Sequence, residues 1–315
     1  MKKVETFLVT GANGDIGDAI GRTLVEVYPG VPCFGADCAG VWPGRYLFQD
    51  MFPLPPASSP EYMEALSQLS EKLGNTILIA ASEPEIIRIA SDRTSFGSLA
   101  PLNIDHSIVT LFSDKLTTNK WLRKNNFPAP YTVKLAEATE VNLPLVVKPQ
   151  TGSGSKGIHI VKDIPHLKFL QSTLEIDAYI AQEYIDVTDN EFTCAVFRNK
   201  KEVRVLAMKR RLQGGFSNYI FVDSRKLLTE FLADIADKMD LSGAVNVQLR
   251  VKGNTPYVFE VNPRFSSTVR MRHLLGFSDL IWSVEDFVGN SIAPYKEVPH
   301  GSEVYRMSRE VVVSK

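Results

Sequence analysis

The chain has 315 residues, of which 44% are hydrophobic, so it can bury a substantial core in two or three domains. Its 35 basic and 36 acidic residues form no long run of either sign, which gives no support for binding nucleic acid or an anionic membrane. We find no apolar stretch of the ~18 residues that a membrane span needs, no signal-peptide pattern and no CxxC pair, and therefore expect a cytoplasmic protein with reduced cysteines.

The first hundred residues alternate between strand and helix patterns. The strand-like segments are ETFLVT, VPCFGAD and NTILIAAS, and the helix-like segments between them are DIGDAIGRTLVEVY and EYMEALSQLSEKLG. This order is typical of strands joined by crossover helices. The sequence therefore predicts a parallel, doubly wound sheet in the N-terminal part.

A glycine turn, TGANGDIG, follows the first predicted strand. It holds Gly11, Gly14 and Gly17, and Asp37 ends the second predicted strand. Such a turn can bind a dinucleotide, and it is similar to that of short-chain dehydrogenases. However, no tyrosine has a lysine four residues later, so the YxxxK pair of such dehydrogenases is missing. We leave open a dinucleotide site and a purely architectural or acceptor-side role.

From residue 113 onward the pattern changes to strands broken by turns, with helices between them. A Ser113-Asp114 cap signal opens a helix that should end before Pro128, and a second helix is expected around 164–174. AYIAQEYI is typical of a strand, and EFTCAVFRNKKEVRVLAMKRR of a hairpin-like pair. The helical periodicity of KLLTEFLADIADKM and two further strands, AVNVQLRV and PYVFEVN, complete the predicted elements.

The stretch VVKPQTGSGSKGIHIV, residues 146–161, is glycine-rich and hydroxyl-rich between two β-branched runs. Backbone N–H groups and hydroxyls in such a loop can surround an anion, and Lys148 and Lys156 would add positive charge. A solvated hairpin with ordinary surface lysines explains the same residues. The segment alone does not separate a phosphate lid from a hairpin.

Two late strands carry amide and carboxylate side chains on one face. Asn246 and Gln248 alternate with apolar residues on the first strand, as do Glu260 and Asn262 on the second. Oxygen ligands of this kind suit Mg²⁺, which also takes phosphate oxygens. A shared site requires Gln248 opposite Glu260, which an even two-residue Gly-Asn turn would prevent. We therefore predict an odd loop or a bulge between these strands.

Taken together, VVKPQTGSGSKGIHIV, AQEYI, the acid in NEFTCAV and VNVQLRV…VFEVNPRFSS resemble the ATP-grasp enzymes, in particular the carbamoyl-phosphate synthetase large subunit and its short, single-unit relatives. The resemblance covers about 113–290. It implies a fold of α/β and α+β class, with a Rossmann-like pre-ATP-grasp domain at 1–112. The ATP-grasp domain at 113–290 would have a small lid subdomain at about 118–184, and a C-terminal tail would follow at 291–315.

The resemblance also implies a nucleotide site. The two matched lysines would contact phosphates, and the glycine loop would close over the triphosphate. A hinge segment would read adenine through its backbone, and Glu191 would hold the ribose hydroxyls. The residues so assigned are Lys115, Lys148, Gly152, Ser153, Gly154, Ser155, Lys156, Gly157, Glu183, Tyr184, Ile185 and Glu191.

The same resemblance supplies a catalytic and a metal set. Gln248, Glu260 and Asn262 match Mg²⁺ ligands, for two ions with Mn²⁺ as an alternative. Arg264 matches the arginine beside the transferred phosphoryl group, and Lys209 or Arg211, within KRRLQGG, is expected to face the phosphates.

The chemistry implied by the resemblance is an ADP-forming ligation. The γ-phosphoryl group of ATP passes to a carboxylate, and an amine or ammonia displaces phosphate from the acylphosphate. The alternatives are an NAD(P)-dependent oxidoreductase or epimerase that uses the N-terminal glycine turn, and an inactive ATP-binding regulatory protein. The expected partners are a small-molecule carboxylate and an amine, and a homodimer stays open.

Three further groups are candidate acceptor contacts. These are the GFSNYIFVD segment, the acids of SEPEI, which we expect rather to cap a helix, and Arg270 with Arg272, which are equally compatible with surface charges.

Overall fold

The computed structural model describes residues 4–39, 43–92, 97–139, 143–152, 154, 157–187 and 190–307. Its strands form a five-stranded, a four-stranded and a six-stranded sheet. The predicted fold class is confirmed, because a parallel sheet comes first along the chain and two antiparallel sheets follow it.

The first sheet is parallel throughout. Its elements are β1 (Phe7–Thr10), α1 (Asp15–Val27), β2 (Cys33–Asp37), β3 (Met51–Pro53), α2 (Tyr62–Leu73), β4 (Thr76–Ala80), α3 (Glu83–Ser91), β5 (Leu99–Pro101) and α4 (His106–Phe112). The strand order is β3-β2-β1-β4-β5. The central strands β1 and β4 are buried along their whole length, as expected for a parallel sheet covered on both faces.

The second sheet is antiparallel and carries the glycine-rich stretch. Its elements, with the helices around them, are α5 (Lys115–Lys124), β6 (Thr132–Lys134), β7 (Leu145–Pro149), β8 (His159–Val161), α6 (Ile164–Thr173) and β9 (Tyr179–Glu183). The strand order is β6-β9-β7-β8. Helix α5 begins at the predicted cap, because the Asp114 carboxylate accepts a hydrogen bond from the Thr117 N–H at 2.7 Å.

The third sheet is the largest. Its elements are β10 (Glu191–Arg198), β11 (Val203–Gln213), β12 (Phe216–Val222), α7 (Lys226–Lys238), β13 (Gly243–Lys252), β14 (Thr255–Asn262), α8 (Val269–Leu274), α9 (Asp279–Phe287) and β15 (Glu303–Tyr305). The strand order is β14-β13-β10-β11-β12-β15. The predicted hairpin of β10 and β11 is confirmed, and β15 shows that the stretch expected to be a tail adds an edge strand.

The first and third sheets share an apolar core. Phe7 of β1 belongs to the same buried cluster as Phe197 of β10 and Trp282 of α9. A fully buried side chain of this size contributes about 2 kcal/mol through removal of apolar surface from water. This shared core fixes the parallel sheet against the sheet that carries the polar strands.

None of the helices within the described part of the chain combines the length and the apolar character needed to cross a bilayer.

Candidate functional site

A cavity of about 570 Å³ brings together most of the residues singled out in the sequence. Its walls come from β7 and β9 on one side and from β13 and β14 on the other. The predicted site residues that line it are Lys115, Lys148, Gly152, Gly154, Glu183, Tyr184, Ile185, Glu191, Gln248, Glu260, Asn262 and Arg264. Ser153, Ser155 and Lys156 lie outside the described residues, and Gly157, although described, does not line the cavity.

The register of β13 and β14 places the polar side chains in pairs. Gln248 lies opposite Glu260, and Asn246 opposite Asn262. The turn between the strands has two residues, since Lys252 pairs with Thr255, and a bulge next to Gln248 shifts the register to the required phase. Of the two predicted possibilities, an odd loop or a bulge, the structure shows the bulge.

Two buried lysines line the cavity near Glu260. Lys148, on β7, is 5% exposed, and Lys115, the first residue of α5, is 8% exposed. The Lys115 Nζ lies 4.0 Å from Glu260 Oε1 and donates a hydrogen bond to the Gly152 carbonyl at 2.5 Å. Because Lys148 and Glu260 line the same cavity, the lysine and carboxylate groups face a common cleft.

Burial of Lys148 changes its acid–base properties. Removal from water lowers the pKa of Lys148 to about 8, with Lys115 and Arg250 adding repulsion and Glu260 opposing the change. Its ammonium lies 5.3 Å from the centre of the Phe259 ring. A buried cation in this environment is stabilised by an anion such as phosphate.

The oxygen side chains that β13 and β14 contribute to the cavity suit a hard cation. In the described residues no three His, Cys, Asp or Glu side chains gather around one point. A cation site here would consist of the Glu260 carboxylate, the amide oxygens of Asn262 and Gln248, and ligand oxygens. Mg²⁺ accepts this combination, because it binds few protein carboxylates and completes its octahedron with phosphate and water. The residues present therefore fit Mg²⁺ together with a nucleotide.

Glu191 lies in a network of arginines. Its carboxylate accepts hydrogen bonds from Arg210 and Arg250, both at 2.8 Å, and Arg210 also donates to Gln248 Oε1 at 2.8 Å. Burial raises the pKa of Glu191, but the two guanidinium groups outweigh it and hold the pKa below its usual range. The structure thus shows Glu191 already paired, and Arg210 and Arg250 are functional candidates that sequence reasoning missed.

The expectation that Lys209 or Arg211 faces the cavity is wrong. Neither lines it, whereas Arg210 does. Side chains alternate along a strand, so the residues on either side of Arg210 point to the opposite face of β11. There the Lys209 ammonium lies 5.8 Å from the Phe192 ring and the Arg211 guanidinium 4.6 Å from the Tyr219 ring.

The glycine-rich stretch is both a hairpin and a cavity wall. Strands β7 and β8 pair antiparallel, with Val147 opposite His159. Gly152 and Gly154 adopt positive φ angles of 95° and 82°, which side chains other than glycine rarely tolerate. A Cβ added to Gly215, at the turn between β11 and β12, would lie 3.2 Å from the Gly154 carbonyl oxygen. Gly154 therefore already lies against that turn.

The hinge segment Glu183–Ile185 begins at the last residue of β9 and lines the cavity. The Tyr184 N–H donates to the Pro144 carbonyl at 3.0 Å, and the Ile185 carbonyl accepts from Arg250 at 2.9 Å. Apolar side chains line the same cavity, namely Val146, Ile158, Ile160 and Leu212. A flat aromatic base fits between such apolar walls and a polar backbone edge.

The N-terminal glycine turn has an architectural explanation. The Asp37 carboxylate accepts hydrogen bonds from the backbone N–H groups of Asn13 and Ala39, both at 2.9 Å. A Cβ on Gly17 would come within 2.3 Å of the Gly11 carbonyl oxygen, so this glycine allows close helix packing. Asp37, the acid that would bind a dinucleotide ribose, thus already accepts hydrogen bonds from the glycine turn and from the backbone that follows β2.

The other candidate acceptor contacts divide between the cavity and the core. Arg272 is 1% exposed and donates two hydrogen bonds of 2.7 Å to Asp279. Arg270 pairs with Glu26. Neither arginine lines the cavity, and neither is an unpaired surface charge. Ser82, rather than an acid, occupies the N-cap position of α3, with Glu83 and Glu85 in the first turn. From GFSNYIFVD, Gly215 lines the cavity.

Comparison with known proteins agrees with this arrangement. A family model described as ATP-grasp domain matches residues 112–268. The chain is similar to the D-alanine–D-alanine ligase of Bacillus anthracis, with 25% identity over 56% of this chain and 66% of the relative. It is also similar to the carbamoyl phosphate synthase large chain of Methanosphaerula palustris, with 25% identity over 65% of this chain and 19% of the relative. It thus spans just under two thirds of the former and about a fifth of the latter.

Solved structures share the fold at low identity. The N5-carboxyaminoimidazole ribonucleotide synthetase of Thermus thermophilus has a TM-score of 0.73 and 14% identity, covering 95% of this chain and 81% of that chain. The L-amino acid ligase of Bacillus licheniformis has a TM-score of 0.68 and 19% identity, covering 90% of this chain and 74% of that chain. At these identities the likeness establishes the fold alone.

Proposed function

The chain belongs to the ATP-grasp superfamily, and we propose that it is an ATP- and Mg²⁺-dependent ligase joining a carboxylate to an amine or ammonia. One observation supports this proposal: two buried lysines line the same cavity as the Glu260 carboxylate and the Asn262 amide, and the Lys115 Nζ lies 4.0 Å from Glu260 Oε1. Ammonium groups next to oxygen ligands suit a nucleotide triphosphate, whose phosphate oxygens can contact both the lysines and a metal ion.

The nucleotide roles are assigned from this geometry and from the family. Lys115 and Lys148 neutralise phosphate oxygens, while the hinge Glu183–Ile185 contacts the adenine through its backbone. The loop from Gly152 to Gly157 covers the triphosphate. We assign Glu191 to the ribose hydroxyls, with Arg210 and Arg250 fixing its carboxylate.

Phosphoryl transfer needs orientation and charge neutralisation more than covalent help. Glu260, Asn262 and Gln248 would hold Mg²⁺, which supplies positive charge to the transferring phosphoryl group. Arg264 lines the cavity close to these ligands, and its Nη2 lies 3.3 Å from Asn262 Oδ1. From there the guanidinium stabilises the charge on the phosphoryl oxygens.

The reaction then follows in two steps. A substrate carboxylate oxygen attacks the γ-phosphorus in line, the bond to the β-phosphate oxygen breaks, and ADP leaves. The amine attacks the acylphosphate carbonyl, phosphate departs, and a proton passes to solvent. A closed glycine loop would exclude water and protect the acylphosphate from hydrolysis.

The wider organisation is part of the proposal. We assign a pre-ATP-grasp domain to 1–112, an ATP-grasp domain to 113–290 with its lid at about 118–184, and the remainder to 291–315. We also propose two Mg²⁺ ions, with Mn²⁺ able to replace them, and a cytoplasmic protein that acts on small molecules. A homodimer is the oligomeric state to test.

The test measures phosphate release with MgATP and pooled carboxylates and amines. We expect release that depends on both pools and that Glu260→Ala abolishes. Dependence on NAD(P) instead of ATP would favour the oxidoreductase alternative, for which the comparisons give no support. An increase in melting temperature with MgATP, without turnover in any pool, would favour the inactive regulatory protein.

A further inference from the structure

A buried glutamate from the parallel-sheet region lies at the phosphate end of the cavity. Glu83, the first residue of α3, is 4% exposed, and its Oε2 comes within 3.9 Å of Arg264 Nε. Lys115 and the backbone N–H of Gly152 favour the charged form of Glu83, whereas Glu260 opposes it. Three elements of the proposed active site therefore converge on a residue that the mechanism does not use.

The neighbouring glutamate shows that helix capping does not explain this arrangement. Glu85 is 7% exposed and accepts hydrogen bonds from the Ser82 hydroxyl at 2.6 Å and the Tyr62 hydroxyl at 3.1 Å. Both partners belong to the parallel-sheet region. Glu83, only two residues earlier, faces the other way, toward the cations of the cavity.

The groups around Glu83 are donors for an anion. Arg264 Nε is buried and has no hydrogen-bond partner in the part of the chain that the structure describes. At 3.9 Å the Glu83 oxygen is too far away to accept a hydrogen bond from it, so this donor is unused. A phosphoryl oxygen between Arg264 and the Gly152 N–H would satisfy both donors, but it would meet the negative charge of Glu83.

We propose that Glu83 is an internal anion that occupies the phosphoryl subsite of the nucleotide-free protein, beside Arg264 and the Gly152 N–H, and that the γ-phosphoryl group of ATP displaces it. This inference rests on the proposed function. It means that Glu83 holds Arg264 and Gly152 in place before the nucleotide arrives. Glu83 also weakens the binding of ATP, but not that of ADP, because ADP has no γ-phosphoryl group.

Burial makes this displacement easier. Removal from water raises the pKa of Glu83, against the attraction of Arg264 and Lys115. Burial therefore destabilises the ionised carboxylate, so a competing anion can displace it from Arg264 and the Gly152 N–H more easily.

The experiment compares nucleotide affinities by isothermal titration calorimetry in the wild type, Glu83→Gln and Glu85→Gln. The probes are Mg²⁺ with AMP-PNP, which carries a γ-phosphoryl group, and Mg²⁺ with ADP. We expect Glu83→Gln to bind AMP-PNP roughly tenfold more tightly, because one nearby negative charge is lost, and ADP within about twofold of wild type. Glu85→Gln, the matched control, should change neither affinity.

A structural lesion would weaken binding, so tighter binding is a specific signature. Unchanged or weaker AMP-PNP binding by a folded Glu83→Gln protein would overturn the inference while leaving the ligase proposal intact. If that variant does not fold, a wild-type crystal with Mg²⁺ and AMP-PNP decides: a γ-phosphoryl oxygen at Arg264 with Glu83 moved away supports the inference, and an unmoved Glu83 overturns it. Failure of the wild type to bind either nucleotide would instead refute the proposed function.

Discussion

Replacing Lys148 with methionine should stabilise the protein while damaging nucleotide binding. Lys148 is 5% exposed, and its pKa falls from the usual 10.5 of lysine to about 8. At about 1.4 kcal/mol per pKa unit, the folded state loses about 3 kcal/mol by holding this charge at neutral pH. Methionine has a similar length and no charge, so Lys148→Met should recover up to that amount.

The pH dependence of this effect has a definite sign. Between about pH 8 and 10.5 the unfolded chain binds the Lys148 proton and the folded protein does not, so wild-type stability rises with pH in this window. Below pH 8 both states are protonated and the full cost is present. The advantage of Lys148→Met should therefore shrink by about 2 kcal/mol between pH 7 and pH 9.5.

The assay is urea denaturation at pH 7 and pH 9.5, with MgATP affinity measured on the same samples. Lys168→Met is the matched control, because Lys168 is exposed on α6. We expect affinity for MgATP to fall about 100-fold in Lys148→Met, since a charge-assisted contact is lost. If Lys148→Met is less stable than the wild type at pH 7, the argument that burial of the charge destabilises the fold is wrong. If it binds MgATP as tightly as the wild type, the assignment of Lys148 to a phosphate is wrong.

Three other predictions test separate parts of the site. Arg210→Ala should lower MgATP affinity at least tenfold, whereas the affinity of Arg211→Ala should stay within about twofold of wild type. Nucleotide titrations of the two variants measure this. A larger loss in Arg211→Ala would contradict the observed orientation of Arg210 toward the cavity. Asp37→Ala should lower the free energy of unfolding by about 1–3 kcal/mol, measured by thermal or urea unfolding, because two backbone N–H groups lose their acceptor. Its MgATP affinity should stay unchanged. A large loss of affinity would indicate that the N-terminal glycine turn does bind the nucleotide. Gly215→Ala should slow turnover by about tenfold without weakening ADP binding. Gly215 has a positive φ, and the added Cβ would crowd the Gly154 carbonyl oxygen. Unaltered turnover would show that the contact between Gly215 and Gly154 is not needed.

Local patterns predicted the polar strand pair well. The alternation of amides and carboxylate with apolar residues fixed which side chains share a face. Placing Gln248 opposite Glu260 then required an odd loop or a bulge, and the structure shows the bulge. The cap of α5 at Asp114 was predictable for the same reason, because the capping residue lies within one turn of the N–H it satisfies.

What the sequence did not reveal depends on contacts between distant segments. Three consecutive basic residues, 209–211, give no indication of strand phase, so Arg210 was overlooked in favour of its neighbours. Glu83 and Arg264 are 181 positions apart in the sequence. They lie close together only because the first and third sheets pack against each other. Strand β15 has three residues, too few for any periodicity to show.

The central claim is that one cavity holds the nucleotide phosphates between the lysines and the oxygen ligands. The most direct measurement is anomalous diffraction from a crystal grown with Mn²⁺ and AMP-PNP. We predict a manganese peak about 2.1–2.2 Å from oxygens of Glu260 and Asn262, with phosphate oxygens completing its shell and Lys148 on a neighbouring phosphate. Ordered nucleotide with its phosphates away from Lys148, or manganese away from Glu260, would contradict the account.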